Sequence, residues 1–141
     1  MNTSALAATL FIGWALLLLL LMETVRSYLV VVGQKRSNEF TPDNSTLSPF
    51  MQRLARAHAN CVEGFPIFGG LLLVSLATGN AGITDPLALW LVAARVAQST
   101  IHVASISVTA VNLRFGFFCV QLGIAAYWTW ALVASFARQV S

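Results

Sequence analysis

The feature that most constrains the fold is a long apolar stretch near the start of the chain. Residues 5–22 carry no charged side chain, and the apolar pattern continues to Val32. An α-helix needs about 20 apolar residues to cross the ~30 Å of hydrocarbon in a bilayer. The stretch exceeds the ~7–15 apolar residues of a secretory signal peptide, and no basic region precedes it. We therefore predict a first membrane span that is retained in the mature protein.

Three further apolar segments follow along the chain. Ser48 and Pro49 form a typical helix start, and residues 79–82 interrupt the helical pattern before the third segment begins. A polar link with Asn112 and Arg114 is predicted to precede the fourth segment. We predict an all-α integral membrane four-helix bundle, with residues 1–141 as a single domain and spans at about 5–32, 49–78, 86–108 and 115–137.

The charge content agrees with a membrane protein and indicates its orientation. Only 9% of the residues are charged, against about 25% in an ordinary soluble domain, and the mean hydropathy is +0.76. The eight Lys and Arg residues form no run that could follow a phosphate backbone, so we expect no nucleic-acid partner. Basic residues near membrane spans favour the cytoplasmic side, and most of them flank the first and third predicted connections: Lys35, Arg36, Arg53, Arg56 and Arg114. Both termini should therefore face away from the cytoplasm.

Polar residues recur at helical spacing on the second and third segments. Arg53, Arg56, Asn60 and Glu63 fall within an arc of about 80° on the second helix, and Arg95, Gln98, Ser99, His102 and Ser105 share one face of the third. A charge at the centre of a span costs about 2.5–3.5 kcal/mol on the insertion scale, so such residues usually face protein or an aqueous cavity. We expect the two stripes to converge on one intramembrane site.

The chemistry of these stripes fits a small zwitterionic ligand. Arg56 and Arg95 could each bind a carboxylate, Glu63 could accept an ammonium group, and Asn60 offers both a donor and an acceptor. Glutathione, with two carboxylates, one α-ammonium and a thiol, fits this set. The alternative is that the Arg and Glu side chains pair only to neutralise one another and hold the helices together. His58 points away from the stripe by its helical angle, and no residue spacing predicts a metal site.

Residues 53–68, RLARAHANCVEGFPIF, closely resemble a known second-helix signature. The signature is that of the MAPEG family, membrane-associated proteins in eicosanoid and glutathione metabolism, and the run is most similar to the one in the family's cysteinyl-leukotriene synthase. Weaker similarity to the prostaglandin E synthase of the same family extends to Gly33, Gln34 and Arg36 and to residues 95–97. The resemblance implies a homotrimer that binds glutathione as a co-substrate between adjacent subunits, near the cytoplasmic side.

The resemblance also implies roles for individual residues. Positions that hold the tripeptide in the family correspond to Arg36, Arg56, Asn60, Glu63 and Arg95, and His58 occupies a position that faces the ligand in some members. Gln98 and His102 stand where the leukotriene synthase has tyrosines, and we include both among the predicted glutathione-binding residues. Arg114 resembles the arginine that stabilises the glutathione thiolate. A free thiol has a pKa near 8.5, and an adjacent guanidinium favours the nucleophilic thiolate. The second substrate would be an apolar or lipid-like electrophile or hydroperoxide that enters from the bilayer.

Three departures from the leukotriene synthase pattern shape the functional prediction. Gly64, Gln98 and His102 each replace a tyrosine. We therefore predict a general glutathione-dependent transferase or peroxidase in preference to an eicosanoid synthase. One alternative is a non-catalytic, lipid-binding scaffold of the same family. Another is a small multidrug transporter, which would require an acidic pocket, whereas Glu63 is predicted to lie among arginines.

Overall fold

The computed structural model describes residues 2–140 and consists of four α-helices. They are α1 (Thr3–Val31), α2 (Pro49–Ala77), α3 (Ala81–Ala104) and α4 (Val108–Val140). No strand occurs within this range, so the predicted all-α class is confirmed. Each helix is long and apolar enough to cross a membrane, which confirms four candidate spans.

Short polar side chains cap the first two helices. Asn2 Oδ1 accepts a hydrogen bond from the backbone N–H of Ala5, and Ser48 Oγ accepts one from Met51. Pro49 follows at the start of α2, where its missing N–H removes no intrahelical hydrogen bond. Both helices therefore lie close to the predicted spans 5–32 and 49–78.

The third helix is shifted toward the N-terminus relative to the predicted span 86–108. α3 begins at Ala81 because the N–H of Ile83 bonds the carbonyl of Asn80 at 2.9 Å and starts the helix before the expected position. It ends at Ala104, after which the backbone becomes extended. The start predicted at residue 86 is thus too late, because Pro86 lies inside α3.

The fourth helix starts well before the predicted residue 115. α4 begins at Val108, where Ser107 Oγ accepts a hydrogen bond from the N–H of Ala110 at 3.2 Å and caps the helix. The prediction that Asn112 and Arg114 form a link was wrong, because both lie inside α4. Their polarity reflects a position near the end of the helix, not an interruption of it.

The packing of the four helices leaves a groove on one side of the bundle. α1, α2 and α3 pack against one another, whereas α4 packs mainly on α3 and less on α2. Within residues 2–140, α1 and α4 do not contact each other. The core contains fully buried large side chains, among them Phe11, Leu54, Phe68, Leu72, Leu91 and Trp128. The gap between α2 and α4, with α3 beneath it, positions the site described below.

A polar cluster joins three helices at the end where the chain starts. Asp85 Oδ1 accepts hydrogen bonds from the backbone N–H and the hydroxyl of Ser4, at 2.7 and 2.6 Å. Thr84 Oγ1 lies 2.6 Å from Ser4 Oγ and 2.7 Å from Ser75 Oγ. Because Ser4 lies in the first turn of α1, the Asp85 carboxylate also interacts favourably with the dipole of that helix. The cluster ties α1, α2 and α3 together at the end opposite the groove's polar residues.

The loop of residues 33–48 is held against α1 by Arg26. Arg26 Nε donates to Asn44 Oδ1 at 3.0 Å, and Asn44 Nδ2 donates to the carbonyl of Met51 in α2 at 2.8 Å. Asn44 is fully buried and has a φ of +56°, a left-handed conformation that asparagine tolerates better than most residues. Arg26 also forms an intrahelical ion pair with Glu23 at 2.8 Å. The loop is therefore an ordered part of the bundle.

Candidate functional site

Two adjoining cavities lie between α2, α3 and α4, in the half of the bundle that carries the first and third connections. The inner cavity has a volume of about 360 Å³ and is lined by Asn60, Glu63, Gly64, Ile67, Phe68, Arg95, Gln98, Phe118 and Leu122. The outer cavity, of about 240 Å³, is lined by Asn60, Gln98, His102, Val111, Arg114, Phe115 and Phe118. Because Asn60, Gln98 and Phe118 line both, the cavities form one groove with the dimensions of a small-molecule site.

The polar residues of α2 and α3 converge at this groove. Asn60 Nδ2 and His102 Nδ1 are 3.5 Å apart, and Arg95 Nη1 donates to the backbone carbonyl of Asn60 at 3.4 Å. Arg53 Nε donates to the carbonyl of Val103 at 2.8 Å, so this arginine binds the end of α3 and does not line the groove. The helical spacing therefore predicted the meeting of the two helices, whereas the direction of each side chain depends on the packing.

Arg95 is a buried cation at the wall of the inner cavity. Only 2% of its surface is exposed, and its guanidinium carbon lies 5.6 Å from the ring centre of Phe11 and 5.1 Å from that of Phe68. Arg95 Nε is buried without a hydrogen-bond partner, and no carboxylate among residues 2–140 forms an ion pair with this side chain. The two aromatic faces attract the cation, but each such contact contributes only about 0.5–2 kcal/mol. The guanidinium therefore has unused capacity to bind an anion.

Gly64 provides the space that Arg95 occupies. A Cβ atom at position 64 would lie 2.9 Å from Arg95 Nη2 and 3.2 Å from the ring of Phe68, closer than packed side chains approach one another. Glycine at this position lets the guanidinium of α3 lie directly against the backbone of α2. The departure from the tyrosine of the leukotriene synthase therefore has a steric consequence here.

Glu63 gives the inner cavity a negative charge that is not neutralised by its neighbours. Its side chain is exposed, lines the same cavity as Arg95, and has no hydrogen-bond or ion-pair partner in the described part of the chain. One cavity thus holds a cation and an anion that do not pair with each other. Within one chain, Arg95 and Glu63 therefore do not neutralise one another.

Arg114 enters the outer cavity from α4. It is half-buried and lines the cavity together with His102, and within residues 2–140 its guanidinium has no bonded partner. Phe115 and Phe118 on the same helix provide an apolar wall beside it. A guanidinium in apolar surroundings stabilises an anion more strongly than it would in water. The outer cavity is therefore suited to a group that becomes negatively charged.

Gln98 lines both cavities and accepts a hydrogen bond from Gln121. The sequence analysis did not predict Gln121 as a site residue. Gln121 is fully buried, and its Nε2 donates to Gln98 Oε1 at 2.9 Å and to the carbonyl of Phe117 at 3.0 Å. The signal available in the sequence was a lone polar residue in an apolar span, on the helical face that also presents Arg114 and Phe118.

Arg56 does not line either cavity of its own chain. Its exposed side chain lines a separate groove of about 430 Å³ between α2 and the loop of residues 33–48, which also contains Asp43. Hydrogen bonds from Thr41 and Ser45 hold the pKa of the Asp43 carboxyl below its usual value, so this groove carries both signs of charge at neutral pH.

Arg36 and His58 also lie outside the two cavities. Arg36 is exposed in the loop after α1, where its backbone N–H donates to Glu39 Oε2 at 2.8 Å. His58 is half-buried on α2 and does not line either cavity. The structure therefore brings together Asn60, Glu63, Arg95, Gln98, His102 and Arg114 and leaves Arg36, Arg56 and His58 elsewhere on the same chain.

Comparison with known proteins identifies the family. The MAPEG family model matches residues 4–134, a range that includes every residue of both cavities. No curated protein and no solved structure gives a significant match. The family indicated by the second-helix motif is confirmed, whereas the closer likeness to leukotriene synthase stays a prediction. The chain belongs to the MAPEG family, and in general terms this membership supports a membrane-bound function related to glutathione or eicosanoid metabolism.

Proposed function

We propose that this protein is a glutathione-dependent membrane transferase or peroxidase that acts on apolar electrophiles or lipid hydroperoxides. The observation that carries the proposal is the state of Arg95, a cation that is 98% buried, lines an open cavity and has no carboxylate partner in the described chain. An uncompensated buried charge is costly, and ionisable residues within a span usually mark a functional site. A ligand carboxylate would supply the missing partner.

The inner cavity would hold the charged groups of glutathione. Arg95 would bind one carboxylate, Glu63 would accept hydrogen bonds from the α-ammonium group, and the Asn60 amide would contact the peptide backbone of the ligand. Because Arg95 and Glu63 do not pair with each other, neither must break an existing ion pair to bind the ligand. A zwitterion satisfies both charges at once.

The outer cavity would hold the thiol. Arg114 would stabilise the thiolate there, and the Val111, Phe115 and Phe118 side chains would exclude water from it. In conjugation, the thiolate sulfur attacks the electrophilic carbon and the leaving group departs with its electron pair. In peroxide reduction, the sulfur attacks the terminal peroxide oxygen and the alcohol leaves. A second glutathione then attacks the sulfenic acid, which gives the disulfide and water.

Arg36, Arg56 and His58, which lie outside the cavities of their own chain, would contribute to the glutathione site when subunits assemble. In a homotrimer with the site between subunits, Arg36 and His58 of one chain would approach the cavity of its neighbour, and Arg56 would lie at the boundary. This arrangement would explain why Arg36 and Arg56 are exposed and His58 is only half-buried in a single chain. We also expect both termini to face away from the cytoplasm. Crosslinking and mass measurement in detergent would establish the number of subunits.

The activity can be tested with purified protein, glutathione and either chlorodinitrobenzene or a lipid hydroperoxide. We expect the wild-type protein to turn over at least one of them, and Arg114→Ala to reduce kcat by about 10²-fold or more, the usual effect of losing one preorganised electrostatic contact. Arg138→Ala is the matched control, because Arg138 lies at the opposite end of α4. Turnover that survives Arg114→Ala would contradict the role assigned to Arg114.

The second candidate function is a non-catalytic, lipid-binding scaffold. The replacement of three tyrosines, at Gly64, Gln98 and His102, favours it, since residues of different chemistry occupy the groove. Glutathione binding without turnover of any acceptor would support the scaffold. Because the chain belongs to the MAPEG family, we do not propose transporter activity.

A further inference from the structure

The hydrogen bond between Gln121 of α4 and Gln98 of α3 fixes the orientation of two amides. Gln121 Nε2 is 3.0 Å from the backbone carbonyl of Phe117 and 2.9 Å from the Gln98 side chain. A backbone carbonyl can only accept a hydrogen bond, so the Gln121 atom that faces Phe117 must be the amide nitrogen. The second hydrogen of that nitrogen points to Gln98, so the Gln98 atom that receives it must be the oxygen.

The opposite orientation of either amide is unfavourable. Turning the Gln121 amide over would place its oxygen against the Phe117 carbonyl, and turning only Gln98 would place two N–H groups against each other. Gln121 is fully buried, so water cannot compensate for such a mismatch. The buried amide of α4 therefore determines how the Gln98 amide is presented.

The consequence is that Gln98 directs its nitrogen away from Gln121. Gln98 Nε2 has no hydrogen-bond partner among residues 2–140, and Gln98 lines both the inner and the outer cavity. The two N–H donors of the Gln98 amide therefore have no partner, and Gln98 lies where the inner cavity, with Arg95, meets the outer cavity, with Arg114. A neutral amide that presents only donors favours an anion over a cation.

We propose that Gln98 donates a hydrogen bond to the glutathione sulfur beside Arg114, and that Gln121 is the residue that positions Gln98 to do so. The inference rests on the proposed function, because it assumes that glutathione occupies the groove. Gln98 would be a catalytic residue in contact with the thiolate. Gln121 would be a positioning residue that acts only through Gln98.

The test is to titrate the bound thiol of the purified full-length protein by the ultraviolet absorbance of the thiolate. We expect Gln98→Met and Gln121→Met each to raise the pKa of the thiol of bound glutathione by about one unit. The loss of one hydrogen bond to a charged group has an effect of this size. The Kd of glutathione should change little at a pH well below the pKa of the bound thiol, where the ligand is bound as the neutral thiol, and should rise by up to about tenfold at a pH where the wild-type protein binds the thiolate. Ser135→Ala is the matched control, since it removes a hydrogen bond from α4 to Asn80 at the opposite end of the bundle.

A double-mutant cycle separates positioning from a general effect on stability. If Gln121 acts through Gln98, Gln121→Met should have no further effect on the thiol pKa in the Gln98→Met background. The same shift in both backgrounds, or no shift in either, would overturn the inference. Gln121→Leu provides a second substitution if Gln121→Met does not fold, and thermal unfolding in detergent identifies such a case.

The wild-type titration distinguishes the two levels of the proposal. A wild-type protein that binds no glutathione, or binds it with an unshifted thiol, would overturn the proposed function and this inference together. A wild-type protein with a lowered thiol pKa that neither glutamine variant changes would overturn only the inference. A change in Kd without a change in thiol pKa would show that Gln98 binds the peptide part of the ligand, which also contradicts the proposal.

Discussion

Arg95 of α3 lies against the backbone of α2 at Gly64, where an added Cβ atom would be only 2.9 Å from its Nη2 atom. We expect Gly64→Ala to displace the guanidinium and to weaken glutathione binding about tenfold, which corresponds to about 1.4 kcal/mol. Calorimetry or ligand-induced thermal stabilisation would measure the change. Gly70→Ala on the same helix is the control, since nothing lies within 4 Å of a Cβ there. Equal affinities of the two variants would contradict the steric coupling.

Replacement of Arg95 should weaken glutathione binding without lowering the stability of the protein. Because Arg95 is buried without a carboxylate partner, Arg95→Met should leave the free energy of unfolding unchanged or raise it by about 1 kcal/mol or more. We expect glutathione to raise the Tm of the wild-type protein, and the same substitution should abolish this increase. A large loss of stability in the absence of ligand would instead assign Arg95 a structural role between Phe11 and Phe68.

The loop of residues 33–48 should depend on Arg26. Arg26→Met removes the hydrogen bonds to buried Asn44, and a hydrogen bond from a charged group contributes about 1.5–3 kcal/mol. We expect faster hydrogen exchange and faster proteolysis within the loop. Glu23→Gln is the control, because it removes only an exposed ion pair of small energetic value. A loop that stays protected in Arg26→Met would show that other contacts hold it.

The polar cluster at the opposite end should stabilise the bundle without affecting the groove. Asp85→Ala removes the acceptor for the N–H and hydroxyl of Ser4 at the start of α1, and loss of such a cap costs about 1–2 kcal/mol. Thermal unfolding in detergent should show a lower Tm, whereas glutathione affinity should not change. A loss of affinity would indicate that the two ends of the bundle are coupled.

Helical spacing predicted the fold and the convergence of the two polar stripes. The period of about 3.6 residues indicated which faces of α2 and α3 are polar, and the contact between Asn60 and His102 follows from that pattern. The directions of Arg53 and Arg56 did not follow from it. Arg53 binds the end of α3, whereas Arg56 lines the groove beside the loop of residues 33–48. Long side chains on one helix face take the directions that the packing leaves open.

Other parts of the site depend on contacts that no local pattern contains. The role of Gly64 requires a guanidinium from another helix, and the role of Gln121 requires a second amide at the correct distance. The early start of α4 was also missed, because polar residues such as Asn112 and Arg114 occur both in links and in helix ends near the headgroups. For Gly64 and Gln121 the deciding interaction joins residues far apart in the sequence, whereas the start of α4 depends on the local cap between Ser107 and Ala110.

The gap between α2 and α4 has a consequence for kinetics. Ile67 and Leu122 border the inner cavity and are 55% and 42% exposed, so the rim of the groove faces the same apolar surroundings as the outside of the bundle. If the proposed function is correct, a hydrophobic acceptor that enters there would be diluted by lipid and not by buffer. Its apparent KM should therefore scale with its mole fraction in the bilayer or micelle, and adding inert detergent at constant bulk concentration of the acceptor should slow the reaction.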